Sequence, residues 1–145
     1  LIRICEAMGK NQSAYRRYLA NSFMISADNA HAVHPNYTDK ACPTNRPYMN
    51  GGIVIKYSAN QKYTTDGMAA GIFQEICKRA DVPYQTFLNR SDMAGGSTLG
   101  NISNTQVALN TVDIGLPQLA MHSPYETAGV EDTGSFIRAA EEFFI

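Results

Sequence analysis

The stretch from Ile53 to Asn89 constrains the fold more than any other part of the chain. Ile53, Val54, Ile55 and Tyr57 make a short apolar run that reads as a strand, with Lys56 set within it. Ala69, Ile72, Phe73, Ile76, Cys77 and Ala80 then recur at three- and four-residue steps, which gives a helix over 65–80 one apolar face. Thr65 or Asp66 can cap its start, and Pro83 stands just beyond its end. Tyr84 to Asn89 reads as a second strand. A strand, an amphipathic helix and another strand in succession predict an α/β layered sandwich.

The flanking segments extend this alternation. Ile2, Cys5, Ala7, Met8, Tyr15, Tyr18 and Leu19 follow a helical spacing over 1–20, with Gly9 as its weak point or break. Phe23, Met24 and Ile25 read as a buried strand that delivers Ser26-Ala27-Asp28 to a loop. Residues 31–52 carry Pro35, Pro43 and Pro47 among Asn, Tyr and Gly, which predicts a long ordered loop. A glycine-bearing turn is expected at 92–98, a short helix to about Val107, a strand from Thr111 to Leu116 and an amphipathic helix from Thr133 to Phe144. There is no internal repeat and no domain boundary. Leu1 enters a helical pattern at once, which points to a chain that begins within something larger.

Charge and cysteine usage exclude several function classes. Twelve basic and thirteen acidic residues leave a formal charge of -1, so neither nucleic acid nor an anionic membrane has an electrostatic footprint. No apolar run reaches membrane length. Cys5, Cys42 and Cys77 form no CxxC pair and are odd in number, which argues against a zinc ribbon and a disulfide framework. They read as reduced thiols of a cytoplasmic protein.

Two clusters can carry chemistry. Asp28, His31 and His34 put one carboxylate and two imidazoles within seven residues at a strand end, where ligands of α/β sheets bind. The competing reading is an Asp that caps a turn and two histidines bonded to backbone. The second cluster, Gln118 to Glu126, offers His122 with Glu126 near enough to orient its imidazole; a lone structural histidine is the alternative. Asp92 with the following Gly-Gly-Ser-Thr can present backbone N–H groups to an anion, or simply turn the chain. A Lys at position 56 sits either at a solvent edge or, if buried, beside a partner.

Four segments in order, SADNAHAVHPNY, GGIVIKY with QKY after it, DMAGGSTLG and IGLPQLAMHSPYE, resemble the C-terminal region of the aspartyl aminopeptidases, a family of two-zinc exopeptidases. The resemblance runs from about Ser22 to the last helix. It implies part of a three-layer α/β/α sandwich of the zinc exopeptidase type, with residues 1–145 as the C-terminal portion of the catalytic domain. The N-terminal portion and an inserted domain would lie outside this sequence. It also implies Asp28 as a ligand of one zinc and His122 as a ligand of the other. Asp28, His31, Lys56 and Tyr63 would contact substrate, a peptide with an N-terminal Asp or Glu.

The family's general-base glutamate, its bridging aspartate and its other ligands fall upstream, so no catalytic residue is expected in this chain. The only Glu-Glu pair, Glu141-Glu142, lies in the closing helix. Two ligands for two different metals hold neither tightly, and the isolated 145-residue chain is expected to be inactive. The family's large homo-oligomers are a further expectation. Gly95 stands where members often have cysteine, and Tyr125 where many have arginine. Two other readings fit the same residues. One is a two-zinc aminopeptidase of neutral or general specificity; the other is a non-catalytic oligomerisation or peptide-binding fragment.

Overall fold

A computed structural model describes residues 1–145. The elements, in chain order, are helices α1 (Ile2–Ala7) and α2 (Gln12–Ala20), strands β1 (Phe23–Ala27) and β2 (Ala30–His31), and a 3-10 turn at Thr38–Lys40. Strand β3 (Ile53–Tyr57), helix α3 (Gly67–Arg79), strand β4 (Tyr84–Leu88) and helix α4 (Leu99–Gln106) follow. Strands β5 (Asn110–Gly115), β6 (Pro117–Leu119) and β7 (Thr127–Ala128) lead to the closing helix α5 (Val130–Phe144). No helix is long and apolar enough to cross a membrane.

Four strands form the main sheet in the order β1-β5-β3-β4. β1 runs parallel to β5, β5 antiparallel to β3, and β3 parallel to β4. Because side chains alternate along a strand, this register sorts them into two faces. Ile53, Ile55, Val112 and Ile114 point one way, into a core closed by Ala69, Ala70, Phe73 and Cys77 of α3 and Ala139 of α5. Each fully buried large apolar side chain there contributes about 1.5–3 kcal/mol. Val54, Lys56, Phe87, Ser26 and Asp113 point the other way, where α4 packs on β1 and β5. Helices on both faces make the α/β/α layering that the sequence suggested.

Several expected boundaries shift for identifiable reasons. The single helix over 1–20 is two, broken at Gly9 with φ of 68° and restarted where Asn11 Oδ1 accepts from the Ala14 amide at 2.9 Å. Asp66, not Thr65, caps α3, accepting from the Ala69 amide at 2.7 Å. The long loop begins after His31, because Ala30–His31 pairs with Pro117–Leu119 in a small second sheet, β2-β6-β7.

Helix α5 starts at Val130, three residues before the expected Thr133. Its first turn carries Asp132, which is 1% exposed and accepts from the amides of Asn50 at 2.7 Å and Gly52 at 2.8 Å. That carboxylate ties the start of α5 to the turn that launches β3. It also favours the positive end of the helix dipole. Gly52 has φ of 97°, and a Cβ there would lie 2.1 Å from the Pro83 carbonyl oxygen, so no other residue fits.

Candidate active site

The candidate site grows from the parallel pairing of β1 with β5. Beyond Ala27 the chain continues beside β5 and β6: the amides of Asp28, Ala30 and Ala32 donate to the carbonyls of Ile114, Leu116 and Gln118 at 2.9–3.0 Å. This run keeps Asp28 and His31 alongside the strand that leads towards His122, and His31 pairs in register with Gln118. Asn29 donates to the Gln118 side chain at 2.7 Å, which pins the crossing. Gly115 is required here, since a Cβ would meet the Asp28 carbonyl oxygen at 2.0 Å.

Lys56 lies beneath this junction and is only 2% exposed, so the solvent-edge alternative is wrong. Its ammonium donates to the Asp28 carbonyl at 2.7 Å and lies 3.9 Å from the Asp28 carboxylate. It also sits 5.2 Å from the centre of the Tyr63 ring, a cation–π contact. Burial pushes the Lys56 pKa down, against the opposing pull of Asp28 and Asp113. Burial likewise raises the Tyr63 hydroxyl, whose ring packs on Phe87 at 6.2 Å. Asp28 itself turns outward, its carboxylate side chain 60% exposed.

His122 occupies the tip between β6 and β7, in a left-handed conformation with φ of 68°. Glu126 accepts from the His122 amide at 2.6 Å, so this carboxylate holds the backbone turn rather than the imidazole. His31 keeps an exposed edge, yet the protein packed around its ring lowers its pKa, and the charges of His122 and Lys56 add to this. These three groups therefore share one electrostatic neighbourhood. His34 does not join them: its Nδ1 accepts from the Asn36 amide at 3.1 Å and its ring packs on Tyr37 at 5.0 Å. Asp92 is paired with Arg90, so its carboxylate is committed locally.

An outward carboxylate on Asp28 and an exposed imidazole on His122 suit zinc as individual donors. No three His, Cys, Asp or Glu side chains converge to hold a metal within this chain. Asp28 and His122 can each serve as one donor, and a zinc site built on either would need further donors.

A cavity of about 350 Å³ opens beside His31, between the loop after β2, the end of β4 and the glycine turn. Lys40, Cys42, Asn89, Arg90 and Gly95 are among its lining residues. A Cβ on Gly95 would stand 2.2 Å from the Asn89 side-chain nitrogen Nδ2, so a cysteine in its place requires the Asn89 side chain to move. The Cys42 thiol is pulled down to about 6, first by its hydrogen bond with the Thr44 hydroxyl and then by the Thr44 and Asn45 groups around it. Burial pushes Cys77 up to about 11. Iodoacetamide at pH 7 is therefore expected to alkylate Cys42 well before Cys77, with a rate that rises through a midpoint near 6. Mass-spectrometric labelling over a pH series checks this; equal rates at the two thiols would disprove it.

Sequence reasoning missed one buried group. Asp113 is 0% exposed in the middle of β5, and its carboxylate accepts from the Thr64 amide, the Thr64 hydroxyl and the Thr98 hydroxyl at 2.6–2.8 Å. The available signal was an acid inside the apolar run Val112 to Gly115, the same kind of anomaly that drew attention to Lys56.

Comparison with known proteins agrees with this fold. Residues 1–144 match the family described as aminopeptidase I zinc metalloprotease (M18). A probable M18 family aminopeptidase 2 of Clostridium acetobutylicum is 51% identical over 144 residues, which is 99% of this chain and 33% of that protein. The chain thus spans about a third of the length of the curated relatives it matches. Among solved structures, one chain in the cryo-EM structure of the Ape4 and Nbr1 complex superposes with a TM-score of 0.94 at 40% identity. It covers 98% of this chain and 27% of that one. The S. cerevisiae mApe1 dodecamer gives a TM-score of 0.77 at 28% identity, over 87% of this chain and 27% of its own. With residues 1–144 matched by the family's model and the fold shared with its solved members, the chain belongs to the aminopeptidase I zinc metalloprotease (M18) family.

Proposed function

We propose that these residues form the C-terminal portion of the catalytic domain of a zinc-dependent aminopeptidase that removes N-terminal Asp or Glu from peptides. The carrying observation is a cation almost fully enclosed at the site: Lys56 lies under Asp28 and against Tyr63, with His31 close enough to feel its charge. In so dry a position a positive charge acts over a longer range than it would in water. It favours a substrate carboxylate nearby; Lys40 and Arg90 line the cavity beside His31, and Lys56 does not.

In this reading Asp28 holds one zinc and His122 another, while Asp28, His31, Lys56 and Tyr63 meet the substrate. The remaining ligands and the general-base glutamate come from sequence outside these residues. Two bound zinc ions would supply Lewis-acid polarisation of the scissile carbonyl and a more acidic water. The chain's own part is to orient: Lys56 fixes the Asp28 backbone, and Glu126 fixes the turn under His122. A large homo-oligomer and a cytoplasmic location, with the three thiols unpaired, belong to the same proposal; the dodecameric mApe1 relative supports the first.

One observation favours a second reading. The Lys56 ammonium is already bound to the Asp28 carbonyl, which suits a purely supporting role and a neutral or general substrate preference. Parallel assays of the complete polypeptide on aspartyl, glutamyl and leucyl amides, with and without a chelator, separate the two. Acidic substrates are expected to be cleaved at least about tenfold more efficiently, a selectivity of roughly 1.4 kcal/mol. Residues 1–145 alone are expected to show no chelator-sensitive hydrolysis, and activity there would overturn the division of ligands.

A further inference from the structure

Asp113 is a fully buried carboxylate without a metal or peptide task, and its three hydrogen bonds reach two segments that are far apart in sequence. Oδ2 accepts from the Thr64 amide at 2.6 Å and the Thr64 hydroxyl at 2.8 Å; Oδ1 accepts from the Thr98 hydroxyl at 2.7 Å. Thr65 adds a backbone grip, its hydroxyl accepting from the Asp113 amide at 2.8 Å. An enclosed carboxylate is costly unless every lone pair in use is matched, and here the match is good.

The segments held this way are the walls of the site. Thr64 follows Tyr63 directly, and Thr98 ends the glycine turn whose Gly95 and Gly96 line the cavity beside His31. The turn is further tied to the Tyr63 segment, since Lys62 donates to the Gly95 carbonyl at 2.8 Å. Gly100 lets α4 come this close: a Cβ there would lie 2.8 Å from both Asp113 carboxylate oxygens and from the Ser26 hydroxyl. Asp113 thus sits where β5, the connection into α3 and the start of α4 meet.

We infer that Asp113 is a positioning residue, which fixes the Tyr63 connection and the glycine turn as one unit so that substrate meets a preformed pocket. This rests on the aminopeptidase reading for its kinetic consequence but not for its structural one. A prearranged wall shows in KM, because a loosened one must be ordered at the expense of binding.

The test uses the complete enzyme with Thr98→Val, Thr98→Ser, Asp113→Ala and Asp113→Asn. Thr98→Val keeps the shape and removes the hydroxyl. It is expected to raise KM at least about fivefold with kcat changed less than about twofold. It is also expected to speed amide exchange over 62–66, a segment that Thr98 does not adjoin in sequence. Thr98→Ser restores the hydroxyl and is expected to return both readouts to wild type. Asp113→Ala should exceed Thr98→Val in both. Asp113→Asn keeps an acceptor for Thr64 and replaces the acceptor at Thr98 with an N–H that the Thr98 hydroxyl accepts, and should resemble Thr98→Ser.

If Asp113→Ala fails to fold, the threonine pair decides. A lower Tm with unchanged KM and unchanged exchange over 62–66 would reduce Asp113 to ordinary core structure and overturn the inference. A wild-type enzyme that cleaves no aminoacyl substrate would instead defeat the aminopeptidase reading. The exchange comparison would then still decide whether Asp113 couples the two walls.

Discussion

Substituting His122 with asparagine in the complete polypeptide is expected to lower kcat/KM by more than about a hundredfold and to release about one zinc per chain. Loss of an outer partner of a metal ligand already costs roughly 10–100-fold, so loss of the ligand itself exceeds that. Asparagine is the right replacement because His122 has φ of 68°, a left-handed conformation that asparagine tolerates and alanine resists. The backbone turn, held by Glu126 on the His122 amide, then survives while the imidazole is removed. Metal analysis by mass spectrometry alongside kinetics checks both parts. Full zinc retention with kcat/KM within about threefold of wild type would remove His122 from the metal site.

Lys56→Met is expected to lower kcat/KM on an aspartyl amide by about a hundredfold, near 2.7 kcal/mol, and on a leucyl amide by about tenfold or less. The common part of the loss reflects the Asp28 carbonyl, which loses its ammonium donor at 2.7 Å, so Asp28 is held less firmly. The extra part on the acidic substrate reflects the missing charge. Methionine fills the same channel without a cation, which limits collapse around a position that is 2% exposed. Equal losses on the two substrates would mean that Lys56 supports Asp28 and does not select the substrate. That outcome would move the preference to neutral residues.

The parts of the fold that could be read from sequence are those with enough length to show a period. Gly67–Arg79 repeats its apolar positions over more than three turns, and β3 and β4 are five residues each between clear breaks. The second sheet was hidden because β2 and β7 have two residues and β6 has three, too few for alternation to register. Its pairing is fixed by the continuation of β1 beside β5, a tertiary fact. The start of α5 was hidden for a similar reason. Asp132 looks like a surface acid until its partners, the amides of Asn50 and Gly52, arrive from 80 residues away.

The candidate residues could be named from sequence, but not their arrangement. The motifs singled out Asp28, His31, Lys56, Tyr63 and His122, and the structure gathers Lys56, Tyr63 and Asp28 in direct contact, with His31 electrostatically linked to His122. No spacing rule tells that the Lys56 ammonium is bound by a backbone carbonyl, or that Glu126 serves an amide rather than a ring. The partners of Asp113 were hidden because they are threonines, whose hydroxyls leave no mark on a hydropathy pattern.

The outermost position of β1 in the main sheet has a practical consequence for handling these residues. Phe23–Ala27 has β5 on one side only, and four of its five residues are half-buried on the sheet faces. Its other side offers a row of amides and carbonyls with no neighbour, flanked by Phe143, whose ring is tilted against Phe23 at 6.1 Å. A bare, apolar strand margin recruits whatever extended chain it meets, including its own duplicate. Produced alone, residues 1–145 should therefore associate edge to edge as concentration rises.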